Sequence, residues 1–137
     1  MGVLIPLARQ QGFEPNAVVC ADDVAAGRPA PWLCLENLRR LNVYPPAAVA
    51  VVDDTIVGIE AGLNAGMWTV GVVRSGNLVG LSAEEFARLD IATQAAQCSG
   101  ARAQLEASGA HFVVDTVADL PPILDEIDQR LRSGDRP

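Results

Sequence analysis

Four short apolar runs set the tightest limit on how this chain can fold: AVVC at 17–20, VAVV at 49–52, TVGVV at 69–73 and HFVV at 111–114. None shows the strict apolar–polar alternation of a strand with one wet face. Short continuous runs suit strands covered on both faces, as in a parallel sheet between helices. Helical patterns lie between the runs. Leu120, Ile123, Leu124, Ile127 and Leu131 make one apolar stripe, stopped by Gly134. Pro31 suits the first residue of a helix reaching about Leu41, and Pro45 with Pro46 forbids its continuation. Ser82 and Glu85 form a capping-box pattern opening a helical excursion over 82–102. Strands alternating with helices predict an α/β layered domain with right-handed crossovers.

A chain of 137 residues suits one domain with one core. Its net charge is −7 and its basic residues form no run or stripe, which argues against a nucleic-acid surface. No apolar segment approaches the ~20 residues a bilayer needs, so no membrane partner is expected. The opening MGVLIPLARQQGF has neither a cationic n-region nor a small-residue cleavage site, and is not read as a signal peptide. Cys20, Cys34 and Cys98 are odd in number, widely spaced and form no CxxC pair. They read as reduced thiols of a cytoplasmic protein, rather than a disulfide framework or zinc site.

The run at 49–52 ends on two adjacent acids, Asp53 and Asp54, followed by Thr55 and a helical pattern. In doubly wound folds, ligands gather at the carboxyl ends of the strands. Two readings stand. Asp54 or Thr55 caps the helix, for which one short polar side chain suffices. Alternatively the paired carboxylates await a cation, and Mg2+ is the hard ion that takes one or two carboxylates with phosphate oxygens and water. A second element, GRPAPW at 27–32, holds Arg28 between Gly27 and Pro29 in a loop stiffened by two prolines. The planar guanidinium of Arg28 suits a phosphoryl group, although a solvated Arg beside a Pro-started helix explains the same letters. Together the two elements outline half of a phosphoryl-transfer site.

These stretches, with LNVYP, SGNLVGLS and GAHFVVDTVADL, resemble the phosphonoacetaldehyde hydrolase (phosphonatase) family of the haloacid dehalogenase superfamily. The resemblance implies a Rossmann-like core and hydrolysis of a carbon–phosphorus bond. It makes Arg28 the residue holding the phosphoryl group and the nucleophilic carboxylate, and Asp54 the Mg2+ ligand of the fourth motif. Thr55 would support that loop, and Asp53 would act behind the metal or through water. Many superfamily members carry another acid four residues after the metal ligand, where this chain has Gly58. In the family a cap-domain lysine forms an imine with the substrate aldehyde, so that electrons can drain into an enamine as carbon leaves. A core aspartate attacks phosphorus, and water then releases phosphate.

The family's first-strand motif, D-x-[AD]-G-T, does not occur in these residues, and neither does any lysine. Residues 1–137 are therefore expected to be the C-terminal half of a haloacid dehalogenase-like core, without the nucleophile strand or the cap domain. On this reading MGVLIPLARQQGFEPN is the helix after the second motif, and the chain alone is inactive. A small phosphonate would be the substrate of the complete enzyme. The alternatives are another superfamily phosphatase, or a non-catalytic Mg2+-binding or assembly remnant. Removing two strands from the middle of the sheet would leave a gap of about 14 Å. The bared apolar edges favour association between copies, a homo-oligomer. Trp32 and Trp68 are expected in the core, His111 at the surface or in strand-end packing, and Arg74, Ser75 and Asn77 near the metal end.

Overall fold

The structure, a computed structural model, describes residues 4–137. Three parallel strands, β1 (Ala50–Asp53), β2 (Trp68–Val72) and β3 (Phe112–Val114), form one sheet in the order β1-β2-β3. Val52 stands opposite Val70, and Val70 opposite Phe112. Helix α3 (Ile56–Asn64) makes the crossover from β1 to β2, while α4 (Ala83–Arg88) and α5 (Ile91–Ala107) lie between β2 and β3. The chain closes with α6 (Leu120–Arg132), and α1 (Leu4–Gln10) and α2 (Trp32–Leu41) precede the sheet.

Every residue of the central strand β2 is buried, which is why its sequence does not alternate. Its side chains still point alternately to two faces. Trp68, Val70 and Val72 join Val114 and Ile127 in one apolar layer, with Ile123 and Leu131 of α6 packed against it. On the other face, Ile59, Val73, Ala101 and Leu105 form the second layer. The glycines of this face admit the helices. A Cβ on Gly71 would lie 3.1 Å from the side chain of Leu105, and one on Gly62 would lie 2.6 Å from that of Thr69. The apolar stripe of α6, apart from Leu124, which is exposed, thus covers one side of the sheet, and α3 with α5 covers the other.

Helix limits follow local chemistry. Helix α2 starts after Pro31 and ends at Asn42, in the left-handed region at φ 54°. Ser82 and Glu85 cap α4 reciprocally, and Gly134 follows α6 at φ 89°. The single excursion expected over 82–102 is two helices, because the Asp90 carboxylate accepts the Thr93 N–H and starts α5 afresh. Helix α5 then runs on to Ala107. Helix α1 falls in the expected helical opening, of which Met1, Gly2 and Val3 lie outside the described residues.

Two expectations are corrected. Residues 17–20 are not a strand. A strand needs a neighbour, and here side chains take the backbone groups instead. The Val18 carbonyl accepts from Arg40 Nη1 at 2.6 Å, and the Cys20 N–H donates to Asp23 Oδ2 at 2.9 Å. Trp68 is in the core as expected, but Trp32 is 47% exposed, on a helix that buries none of its residues fully. Among the described residues, β1 has a strand on one side only, and no helix is long and apolar enough to cross a membrane.

Candidate functional site

The carboxyl ends of β1 and β2 set the site, because the chain leaves both strands there in tight turns. Asp53 is the last residue of β1, and its carboxylate is fully engaged. Oδ1 accepts from the Thr55 N–H at 2.8 Å and from the Thr55 hydroxyl at 2.7 Å, while Oδ2 accepts from Arg28 Nη1 at 2.9 Å. Thr55 Oγ1 accepts from the Gly58 N–H at 3.1 Å, so Thr55 is the cap of α3. The capping reading of the acid pair is therefore satisfied by Thr55, and Asp54 makes no cap bond to α3.

Gly58 belongs to the same knot. A Cβ there would sit 1.9 Å from Asp53 Cγ and 2.2 Å from either carboxylate oxygen. The Asp53 carboxylate occupies the space a side chain at position 58 would need. The sequence departure at Gly58 and the Arg28–Asp53 ion pair are thus one structural fact.

Arg28 reaches the strand end from a loop that is pinned at both sides. The Ala30 N–H donates to the Gly27 carbonyl at 3.1 Å, and Asn64 Nδ2, at the end of α3, donates to the Pro29 carbonyl at 2.9 Å. Following the loop, α2 carries Glu36, which pairs with Arg39 and Arg40 and whose carboxyl is thereby held at about 2. Arg40 also reaches Asp23, tying the segment before the loop to the helix after it. The Arg28 side chain is 43% exposed, and among the described residues only its Nη1 has a protein acceptor. Two further N–H-bearing nitrogens remain for a ligand.

Asp54 faces away from this knot. Its Oδ2 accepts from the backbone N–H of Asn77 at 2.7 Å, and no other hydrogen bond reaches its carboxylate among the described residues. A hollow of about 250 Å3 opens there, lined by Val52, Asp53, Asp54, Val72, Ser75 and Val117. A larger hollow of about 430 Å3, lined in part by Arg74, Ser82, Phe86 and Thr116, shares Ser75 with it. The donor set at Asp54 fits Mg2+ in kind: one hard carboxylate oxygen without a protein partner among the described residues, in a hollow that Ser75 also lines. It does not make a closed protein cage. No group of three or more His, Cys, Asp or Glu residues comes together among the described residues.

The structure therefore brings Arg28, Asp53 and Thr55 into one cluster, with Asp54 beside it on the adjoining turn. Arg74, Ser75 and Asn77 lie at the same end, as expected, and Ser75 lines the hollow of Asp54. Two contacts had no signal in residue type: the backbone N–H of Asn77 on Asp54, and the hold of Asn64 on the Arg28 loop. Cys34 is near enough to matter, since burial first and the Asp53 carboxylate second push its thiol up. Both effects disfavour the thiolate, the form of cysteine that acts as a nucleophile. His111 packs at a strand end. Its ring lies edge-on to Trp68 at 5.1 Å, and its Nδ1 accepts from the Thr69 N–H at 3.1 Å.

The family model described as haloacid dehalogenase-like hydrolase matches residues 3–66. A phosphonoacetaldehyde hydrolase of Vibrio cholerae serotype O1 is 48% identical over 138 residues, which is 100% of this chain and 51% of its own length. The crystal structure of a phosphonoacetaldehyde hydrolase-like protein from Oleispira antarctica superposes with a TM-score of 0.97 at 42% identity, over 100% of this chain and 50% of that one. Over its whole length the chain is similar to about half of each of these proteins. A further relative of that name from Nitratidesulfovibrio vulgaris, 46% identical, is likewise covered over 49% of its length. The chain spans about half the length of the curated relatives it matches. Its three parallel strands with flanking helices are the corresponding part of that α/β fold.

Proposed function

We propose that this chain supplies the phosphoryl-holding and metal-binding part of a phosphonoacetaldehyde hydrolase-like enzyme, acting on a small phosphonate. The observation that carries the reading is the split of labour between the two acids. Asp53 is used up in fixing Arg28, and Asp54 keeps one oxygen without a protein partner beside it. A guanidinium fixed through one nitrogen, with others to spare, can donate two parallel bonds to phosphoryl oxygens. Asp54 would hold Mg2+, with the remaining positions left to water and substrate oxygens. That ion would offset the negative charge on the phosphoryl group as it transfers. Thr55 keeps the carboxylate of Asp53 aimed at Arg28 and starts the helix behind it.

What the given residues do not supply is equally definite. They contain no lysine for an imine and no D-x-[AD]-G-T nucleophile motif, so turnover requires groups from the part of the relatives that this chain does not match. We read this role as a cytoplasmic one in phosphonate breakdown, and the three free cysteines support the first part, since reduced thiols fit a reducing compartment. The test is a titration of the isotopically labelled chain with inorganic phosphate in the presence of Mg2+, followed by NMR. The reading expects the largest shifts at the Arg28 side chain and the amides of Thr55 and Ser75, and their loss in Arg28→Ala. Shifts confined to other surfaces, or unchanged in Arg28→Ala, would refute it.

A further inference from the structure

We infer that the turn at residues 74–77 is a built positioning device for Asp54: Gly76 is there so that the Asn77 N–H can hold one carboxylate oxygen and present the other to the metal. The inference rests on the proposed reading of Asp54 as the Mg2+ carboxylate. It adds two residues, Gly76 and Asn77, that act through Asp54 and touch no substrate.

Three observations converge on this turn. Strand β2 ends at Val72, and the chain turns at once, with the Gly76 N–H donating to the Val73 carbonyl at 3.0 Å. The turn is reinforced from behind, since the N–H groups of Val79 and Gly80 both donate to the Gly76 carbonyl, at 3.2 and 3.1 Å. Gly76 is buried, and a Cβ there would meet the Val72 carbonyl oxygen at 2.4 Å and Asp54 Cβ at 3.0 Å. Its φ is not in the left-handed region, so glycine is needed for space and not for backbone freedom.

The obstacle on one side is backbone of the buried central strand, which cannot yield. The obstacle on the other side is Asp54 itself. Any side chain at position 76 must therefore displace either the turn or the acid, and both break the 2.7 Å bond from Asn77 to Asp54 Oδ2. A carboxylate bonded through one oxygen to a fixed N–H has its torsion set, and the second oxygen is aimed before the ion arrives. Loosening such an outer partner of a metal ligand lowers metal affinity by roughly 10–100-fold.

Mn2+ serves as the probe, because its unpaired electrons broaden nearby amide signals even when binding is weak. In the unaltered chain, added Mn2+ is expected to broaden Ser75 and Gly76 first. In Gly76→Ala the concentration needed for the same broadening should rise roughly tenfold or more. Gly100→Ala, where an added Cβ meets nothing within 4 Å, should leave it unchanged. Should Gly76→Ala fail to fold, hydrogen exchange in Asp54→Ala tests the hold directly. The Asn77 amide should exchange roughly tenfold faster once its charged acceptor is gone. Unchanged exchange there, or a folded Gly76→Ala with unchanged broadening, overturns the positioning role. Faster exchange in Asp54→Ala, combined with no Mn2+ broadening near Ser75 in the unaltered chain, overturns instead the metal reading beneath it.

Discussion

Asp53 and Asp54 are neighbours with the same side chain, and the fold gives them opposite employment. The last residue of a strand points its side chain to the face opposite that of the residue before it, and the turn that follows reorients the next one. Asp53 falls against the start of α3, where Thr55, Gly58 and Arg28 meet it, and Asp54 falls against the turn after β2. A change at Gly58 probes this division without touching a charge. Ala in place of Gly in a helix ordinarily stabilises by about 1 kcal/mol. Here the added methyl would sit 1.9 Å from Asp53 Cγ, so the sign should reverse. Gly58→Ala is expected to lose about 1–3 kcal/mol through overpacking, and to free Arg28 from its partner. Denaturant unfolding measures the first and the Arg28 side-chain NMR signal the second; a stabilised Gly58→Ala with Arg28 undisturbed would contradict the knot.

Among the elements, those with an internal period were legible and those needing a neighbour were not. The stripe of α6 and the unbroken run of β2 each mark a face turned to the core, and the capping box of α4 marks its start. Residues 17–20 read as a strand because their letters do, but a strand is a relation between two segments, and no window of sequence contains both. Trp32 misled for the same reason: its size suggests a core, and its exposure depends on what covers α2. At the site, Arg28, Asp53, Asp54 and Thr55 were legible as residue types in a pattern. The holds from Asn77 and from Asn64 were not, since one is donated by a backbone N–H and the other is accepted by the Pro29 backbone carbonyl, and neither group has a letter.

The β2–β3 ladder makes its own prediction. His111 precedes β3, and its ring continues the ladder: Nδ1 accepts the Thr69 N–H, the Thr69 hydroxyl lies 2.8 Å from the same nitrogen, and the His111 N–H donates to Thr69 Oγ1 at 3.1 Å. Burial, and then the positive Arg130, push the His111 pKa down. The unfolded chain therefore takes up this proton before the folded one does. Stability should be complete above the ordinary histidine value of about 6.5 and should fall as pH drops below it. His111 is the single histidine of the chain, so melting temperatures between about pH 7.5 and 5 report on it with little interference. His111→Gln is expected to flatten the profile in that window, and an equally steep profile in the variant would refute the assignment.

At the scale of the molecule, one flank is unfinished. Beyond the one-sided β1, an apolar groove of about 290 Å3 runs between α2 and β1, lined by Leu38, Leu41, Val43, Val49, Val51 and Met67 among others. Val52, Val57 and Tyr44 are also exposed. An open edge with apolar surroundings is a template for association. The chain is expected to associate in solution, and more so as salt screens its net charge of −7. Light scattering on a size-exclusion column would then give masses above 14.4 kDa that rise with salt and concentration. A monomer under all these conditions would mean that the open flank is closed by the chain itself.

On the proposed reading, this chain carries the phosphoryl- and metal-binding portion of a phosphonoacetaldehyde hydrolase-like site. The most direct measurement exchanges it for the matching half of the Vibrio cholerae relative, with which it shares 48% identity, and assays the hybrid for release of acetaldehyde and phosphate from phosphonoacetaldehyde. Expected are Mg2+-dependent turnover by the hybrid, no turnover by the chain alone, loss in Asp54→Ala, and a marked fall in Arg28→Lys because a point charge cannot donate the paired bonds of a guanidinium. A folded hybrid that is inactive, or one whose turnover is indifferent to Asp54→Ala and Arg28→Lys, would contradict the reading.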